Sequence, residues 1–403
     1  MDKKIKMLVI PSDRTGVGYF RSVSPHSYIA EHYSDEFDID IVYELPNNLE
    51  SFFRKYDLIH IHKQLDNNAN VMNLIKFFGI PVIIDVDDYY KLGDHHPMSI
   101  TAKKEKWHEP IVKHIMLADC VTTTTPIYAK VLRKLNKHVE VLPNAIDPSV
   151  KQFSPEKNPS DKLRVGIICG SSHLHDLECL QDLVGQVADN VQIVLCGFDT
   201  NGTRTIYYPD GKVERKPITP TESVWYEYEK ILTNNFLSIT PEHSEFLHKF
   251  MNIDDPFVND KYRRCWTKDI NEYATHYANV DVLLAPLKSC DFNAMKSQLK
   301  AIEAGFTHTA LIAQNFGPYT IDLKHAFSKG GTLTEDGNAL LVDERKNHKD
   351  WVKFINKLAA DPNLVKTLQD RLYNTVKDKY SLDAVCQQRV KVYKNLVNDF
   401  KNK

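Results

Sequence analysis

The stretch Phe292–Gly305, FNAMKSQLKAIEAG, decides how the chain is read. It follows Val280–Leu287, VDVLLAPL, an apolar run with the character of a buried strand, and its own spacing is helical. Met295, Leu299, Ile302 and Phe306 recur every three or four positions and form one buried stripe. Lys296, Lys300 and Glu303 fall on a neighbouring stripe. Asp291 or Asn293 suits the N-cap, where a short polar side chain accepts a free backbone N–H. The pattern predicts a strand that delivers a helix N-terminus, two lysines and a carboxylate to one cleft. Free N–H groups and the helix dipole favour an anion there, and the lysines add full charges. A carboxylate one turn deeper can accept hydrogen bonds from two hydroxyls, as a ribose offers. The same spacing also fits an ordinary amphipathic helix with solvated lysines and an i,i+3 ion pair.

A chain of 403 residues is too long for one ordinary core, so two domains are expected. Hydrophobic and charged contents of 42% and 26% are those of a soluble globular protein. A net charge of −2 gives no support to a broad nucleic-acid surface. The seven cysteines, at positions 120, 169, 179, 196, 265, 290 and 386, include no C-x-x-C pair. Their spacing suggests neither a zinc site nor a disulfide framework, and it fits a reducing compartment and a cytoplasmic protein. The apolar run in MDKKIKMLVIP is too short for a signal sequence, and no run approaches the length of a membrane span. Peripheral membrane contact remains open.

In the first half, the strand Lys6–Pro11 runs into SDRTGVGYFRS, a turn with Gly16 and Gly18, and then a helix to about Tyr33. Strand, glycine loop and helix open a nucleotide-type α/β unit. The glycines let a ligand approach the backbone and Arg21 can reach an anion; the plainer alternative is a tight turn with a surface arginine. Strands follow at Phe37–Tyr43 and Asp57–His62, the second placing His60 and His62 on one face. With no third ligand in view, they are expected to be packed or cleft-lining. The strand VIIDVDD, Val82–Asp88, ends in Asp85, Asp87 and Asp88, and ligands of open α/β sheets sit beyond such strand ends. Carboxylates this close shift one another's pKa and can support base chemistry or hold a cation; loop capping is the plainer role. The next loop adds Asp94, His95 and His96. A strand at Leu117–Thr125, helices on either side of it and a strand at Val139–Leu142 lead to Pro148–Lys162, a proline-rich linker.

The second half repeats the plan. LRVGIICGSSHLHDLECL, Leu163–Leu180, is again strand, small-residue loop and helix. Gly170, Ser171 and Ser172 offer backbone and hydroxyl donors beside His173, His175 and Asp176, which suits a phosphate, a sugar hydroxyl or simple capping. Val191–Cys196 is a strand, and Asp199–Pro256 an irregular, aromatic-rich insertion. Arg263, Arg264 and Trp266 precede a helix to about Ala278. After the central stretch come strands in Ala310–Tyr319 and Ala339–Asp343, then helices at Lys349–Ala360, Asn363–Asp378 and Leu382–Asn402.

The order of these pieces resembles the GT-B glycosyltransferases, in particular the retaining group-1, family-4-like branch. The matching segments are the G-V-G loop, LADCVTTTT, VEVLPNAID, VGIICGSSHLHD and VDVLLAPL…KAIEAG…LIAQNFGPY, which span nearly the whole chain except the region around 199–256. The resemblance implies an α/β fold of two Rossmann-like doubly wound domains facing a cleft. An acceptor-side domain is expected over 1–150 and a nucleotide-sugar-binding domain over 160–380. A last helix, 381–403, is expected to cross back to the first. It implies a nucleotide-diphosphate-sugar donor and a hydroxyl acceptor (a glycan, a lipid-linked glycan or another), with retained configuration and no metal or other cofactor. Glu303 matches the second glutamate of the family's E-x7-E motif, which binds ribose, whereas the first falls at Met295. Lys296 and Lys300 then become the diphosphate ligands, with help from Gly170, Ser171, Ser172 and His173, while Gly16, Gly18 and Arg21 close over the phosphates. Asp87, Asp88 and His95 fall on the acceptor side as candidate catalytic or positioning groups. Three other readings share these features: a nucleotide-sugar epimerase or hydrolase, a non-catalytic sugar-binding protein, and a transferase acting on modified viral DNA, which the net charge does not favour.

Overall fold

The computed structural model describes residues 3–63, 69–208, 212–234, 260–346 and 348–402. The first half forms a six-stranded sheet from β1 (Ile5–Ile10), β2 (Phe37–Ile41), β3 (Leu58–His62), β4 (Val82–Val86), β5 (Cys120–Thr123) and β6 (Val139–Val141). Its order is β2-β1-β3-β4-β5-β6, and every pairing is parallel. The second half begins with β7 (Leu163–Ile168) and β8 (Val191–Phe198), followed by an antiparallel hairpin, β9 (Thr203–Tyr207) and β10 (Val213–Pro217). It continues with β11 (Tyr262–Trp266), β12 (Val282–Ala285), β13 (Ala310–Gln314) and β14 (Leu340–Val342). Its six-stranded sheet has the order β11-β8-β7-β12-β13-β14, again wholly parallel.

Parallel strands are covered on both faces, so they read as unbroken apolar runs. Strands β3, β4, β5, β12 and β13 are buried along their whole length. Each sheet has one core on each face. The chain reverses its direction of winding between β1 and β3 in the first sheet and between β7 and β12 in the second, and ligands of such sheets bind outside the carboxyl ends of the strands at these points.

The C-terminal helix Leu382–Lys401 packs back on the first sheet: Val385, Cys386, Val390 and Tyr393 join Met7, Val9, Leu58 and Ile83 in one core. The two segments that pass between the halves are stitched together, Ile146 N–H donating to Tyr380 O (3.0 Å) and Leu382 N–H to Ile146 O (2.8 Å).

Several elements differ from the sequence reading. The central stretch is two short helices, Asp291–Ala294 and Leu299–Phe306, rather than one. The intervening polar residues bond outward: Ser297 Oγ accepts from Asn144 Nδ2 (3.1 Å) and Gln298 Nε2 donates to Tyr380 Oη (2.9 Å). Neither Asp291 nor Asn293 caps the second helix; Asn293 Nδ2 donates to Asp176 and to Lys288 O instead. Met295 leaves the stripe and packs on a core of the first sheet. Gly16 and Gly18 lie within the first helical turn rather than before it, and a wider π turn, Tyr19–Val23, carries the chain into the helix Ser24–His32. The Arg263–Trp266 segment is edge strand β11, its charges buried because Arg264 forms a bidentate pair with Glu229 (2.7 and 2.9 Å). Part of the region read as an irregular insertion holds β9, β10 and the helix Val224–Leu232, and its remainder, including Phe236, lies outside the described residues.

Candidate functional site

A cavity of about 430 Å³ lies between the two halves, where both reversal points meet. Thr15, Gly16, Arg21, Asp87 and Asp88 line it from the first sheet's side. Gly170, His173, Lys296, Lys300 and Glu303 line it from the second.

On the first wall, the helix starting at Gly16 already has an anion at its N-terminus. Asp13 Oδ1 accepts from Thr15 N–H (2.8 Å) and Gly18 N–H (3.1 Å). A Cβ at Gly18 would sit 2.1 Å from Asp13 O, which explains the glycine. Gly18 itself does not line the cavity. Arg21 is also committed: Nε and Nη2 donate to the Asp85 carboxylate (2.9 and 2.7 Å), and Nη1 donates to Leu142 O and Asn144 Oδ1. The guanidinium expected to close over phosphates is therefore a buried tie. With both pairs of donors engaged, this wall carries less free positive character than the sequence suggests.

The acids in and after β4 are each held by a different partner. Asp85 faces Arg21 and Thr122 Oγ1, while Asp87 faces Lys63 Nζ (2.6 Å) and His62 Nε2 (3.2 Å). Burial alone would raise the Asp87 pKa, but the Lys63 ammonium and the His62 imidazole outweigh it and hold the carboxyl well below the usual range. Burial opposes Lys63 in turn, yet Asp87 and Asp88 raise its pKa. Asp87 is thus a fixed anion and a weak base. His95 lies away from the cavity lining; it is exposed and stacks on His175, with centroids 3.7 Å apart.

On the second wall, Gly170 leaves open space where a Cβ would point, so a ligand can meet bare backbone. Ser171 and Ser172 are not among the lining residues. His173 donates its backbone N–H to Tyr228 Oη, and its ring pairs with Asp176 Oδ2 (2.8 Å). Burial lowers the His173 pKa, Asp176 opposes this, and Lys296 and Lys300 add to the lowering.

Lys296 lies 4.8 Å from the Phe292 ring centroid and has no carboxylate partner among the described residues. Lys300 Nζ donates to Glu303 Oε2 (2.9 Å), which also accepts from Tyr277 Oη (2.9 Å), while Tyr273 Oη donates to Oε1. Glu303 is 1% exposed but still lines the cavity. A carboxylate has about four lone-pair sites, so three bonds leave Oε1 able to accept once more. Tyr273, Tyr277, Lys63 and Asn144 were not singled out by sequence reasoning. The tyrosines left a trace there, as an i,i+4 aromatic pair before a strand, and Asn144 lies within the VEVLPNAID segment.

Solved structures place the fold. HepE of Anabaena, in complex with UDP and glucose, superposes with a TM-score of 0.61 at 12% identity over 97% of this chain and 100% of that one. The chain has the GT-B fold. The catalytic domain of starch synthase IV from Arabidopsis thaliana, bound to ADP and acarbose, gives a TM-score of 0.60 at 11% identity, covering 98% of this chain and 100% of that one. A putative UDP-N-acetylglucosamine 2-epimerase from Listeria monocytogenes gives 0.55 at 9% identity, with 98% of each chain covered. No protein-family model and no curated protein sequence matches the chain. Among the described residues no helix is long and apolar enough to cross a membrane.

Proposed function

We propose that this GT-B chain is a glycosyltransferase that takes a sugar from a nucleotide-diphosphate-sugar in the cavity to a hydroxyl acceptor. The observation that carries this is the second wall. An ammonium with no carboxylate partner among the described residues, a helix N-terminus, open backbone at Gly170 and a buried carboxylate with one acceptor position left all face the same space. These match a diphosphate followed by a ribose. HepE and starch synthase IV, which share the fold, were solved with UDP and with ADP respectively, and this supports a nucleotide diphosphate here.

In this reading Lys296 and the backbone ahead of Leu299 hold the diphosphate, Lys300 assists, and Glu303 accepts from a ribose hydroxyl. As the glycosidic bond lengthens, negative charge grows on the leaving phosphate, and fixed donors stabilise it without reorganising. Asp87 and Asp88 sit on the opposite wall. Asp87, held ionised by Lys63, is suited to accept a hydrogen bond from the acceptor hydroxyl rather than to take its proton. The proton passes to the departing phosphate oxygen, which corresponds to transfer with retention and without metal. We assign 1–150 as the acceptor-side unit and 160–380 as the donor-side unit. A glycan or lipid-linked glycan acceptor fits better than a nucleic acid, given the net charge of −2.

The test is release of nucleoside diphosphate from a panel of UDP-, GDP- and ADP-sugars, with and without pooled hydroxyl acceptors. Acceptor-dependent release is expected, and Lys296→Ala should slow it on the order of 100-fold. Release that needs no acceptor, or a sugar recovered with one centre inverted, would instead support the epimerase or hydrolase reading, which the Listeria match keeps in view.

A further inference from the structure

A second cluster of reactive side chains lies in the second sheet, outside the cavity lining. Cys196 on β8 and Cys265 on β11 are register partners in adjacent parallel strands. The register shifts between Cys265 and Trp266, an irregularity of the kind that re-aims a side chain. His276 comes from the 3-10 segment Tyr273–Asn279, which packs on the same face. The two sulfurs and an imidazole nitrogen lie within 4.8 Å of one another. Cys196 is fully buried, His276 is 3% exposed, and Cys265 is partly exposed. His276 Nε2 is buried and has no hydrogen-bond partner among the described residues, which is costly unless something binds it.

We propose that Cys196, Cys265 and His276 bind one thiophilic ion of the Zn(II) type. Two thiolates and an imidazole are the donor set that selects such an ion over hard cations. Three protein ligands with the fourth position left to a small exogenous group is an established zinc arrangement. Binding displaces the thiol protons to solvent, so affinity falls as pH falls. The sequence hid the site because its ligands come from three separate elements with no C-x-x-C.

The ion would pin the 3-10 segment to the sheet. That segment also carries Tyr273 and Tyr277, whose hydroxyls hold Glu303. The ion is thus one layer behind the cavity and acts on it through those tyrosines. Metal binding is read without nucleotide, so its outcome is separate from that of the donor assignment.

The experiment uses the full chain, reduced, stripped by chelator, and titrated with Co(II) and then Zn(II). A thiolate-to-cobalt charge-transfer absorption should saturate at one ion per chain, bleach on adding Zn(II), and vanish in Cys265→Ser and His276→Gln but not in Cys290→Ser. Zn(II) should also raise the melting midpoint of the wild type. Circular dichroism of the metal-free variants separates a lost ligand from a lost fold. If a variant does not fold, alkylation of the wild type decides: Zn(II) should protect Cys265 and not Cys290. No charge-transfer band, a band that survives both substitutions, or equal alkylation with and without Zn(II) would overturn the proposal.

Discussion

Arg21 is 1% exposed, and every guanidinium nitrogen has a partner inside the protein. Its pair with Asp85 (2.7 Å) is fully buried, and Asn144 extends it to Ser297 in the central stretch. One chain of bonds thus runs from the first sheet to the segment ahead of the helix Leu299–Phe306. Breaking a buried pair strands the other charge, so Arg21→Met should lower the unfolding free energy by about 3–5 kcal/mol. Urea unfolding checks this, and a loss within the error of the extrapolation would show that the pair is not desolvated. The sequence could offer an arginine near a glycine loop; it could not show that Asp85, sixty-four positions away, would claim it. The same holds for Asp87, which looks like one of three clustered acids until Lys63 and His62 are seen beside it.

The C-terminal helix Leu382–Lys401 seals a group of titratable side chains against β3. His26 and His60 lie with ring centroids 4.6 Å apart, and Tyr393 stacks on His26 at 5.7 Å. Arg389 from the same helix and Asp85 from β4 also face them. Burial, then the His60 ring and the Arg389 cation, hold His26 well below its ordinary range; burial lowers His60 against the pull of Asp85. An unfolded histidine titrates near about 6.5. Below that pH the unfolded chain binds protons that the folded chain does not, so stability is greatest above it and falls as pH drops. The melting midpoint should therefore decline from about pH 7 to about pH 5, and His26→Gln, though less stable, should flatten that decline. A midpoint constant over this interval would contradict the burial of these rings. At this scale the sequence was most informative for long periodic elements: the helix at Lys349–Ala360 has the expected limits, and the last helix differs only at its end. It was least informative where a polar segment bonds to distant partners. The break at Met295–Gln298 keeps helical spacing on both sides, so periodicity could not reveal it.

The two wholly parallel sheets follow from their apolar runs and the loops and helices between them, and that alternation is what made the doubly wound plan legible. Edge strand β11 escaped because Arg264 is paired with Glu229 and Arg263 donates to Asn279 Oδ1, contacts that no local pattern contains. The cavity follows from topology: both winding reversals place loop backbone and helix ends in one space. Lys296, Lys300 and Glu303 come together there, whereas Gly18, Ser171, Ser172 and His95 do not line it. The central claim is that this space holds a nucleoside diphosphate on Lys296 and Glu303. Titration calorimetry of the full chain with UDP, GDP and ADP, with and without divalent metal, tests it most directly. The expected result is saturable binding of at least one of them, weakened about tenfold or more, or about 1.4 kcal/mol, by Lys296→Ala and by Glu303→Ala. Binding of none, or equal binding by both variants and the wild type, would contradict it.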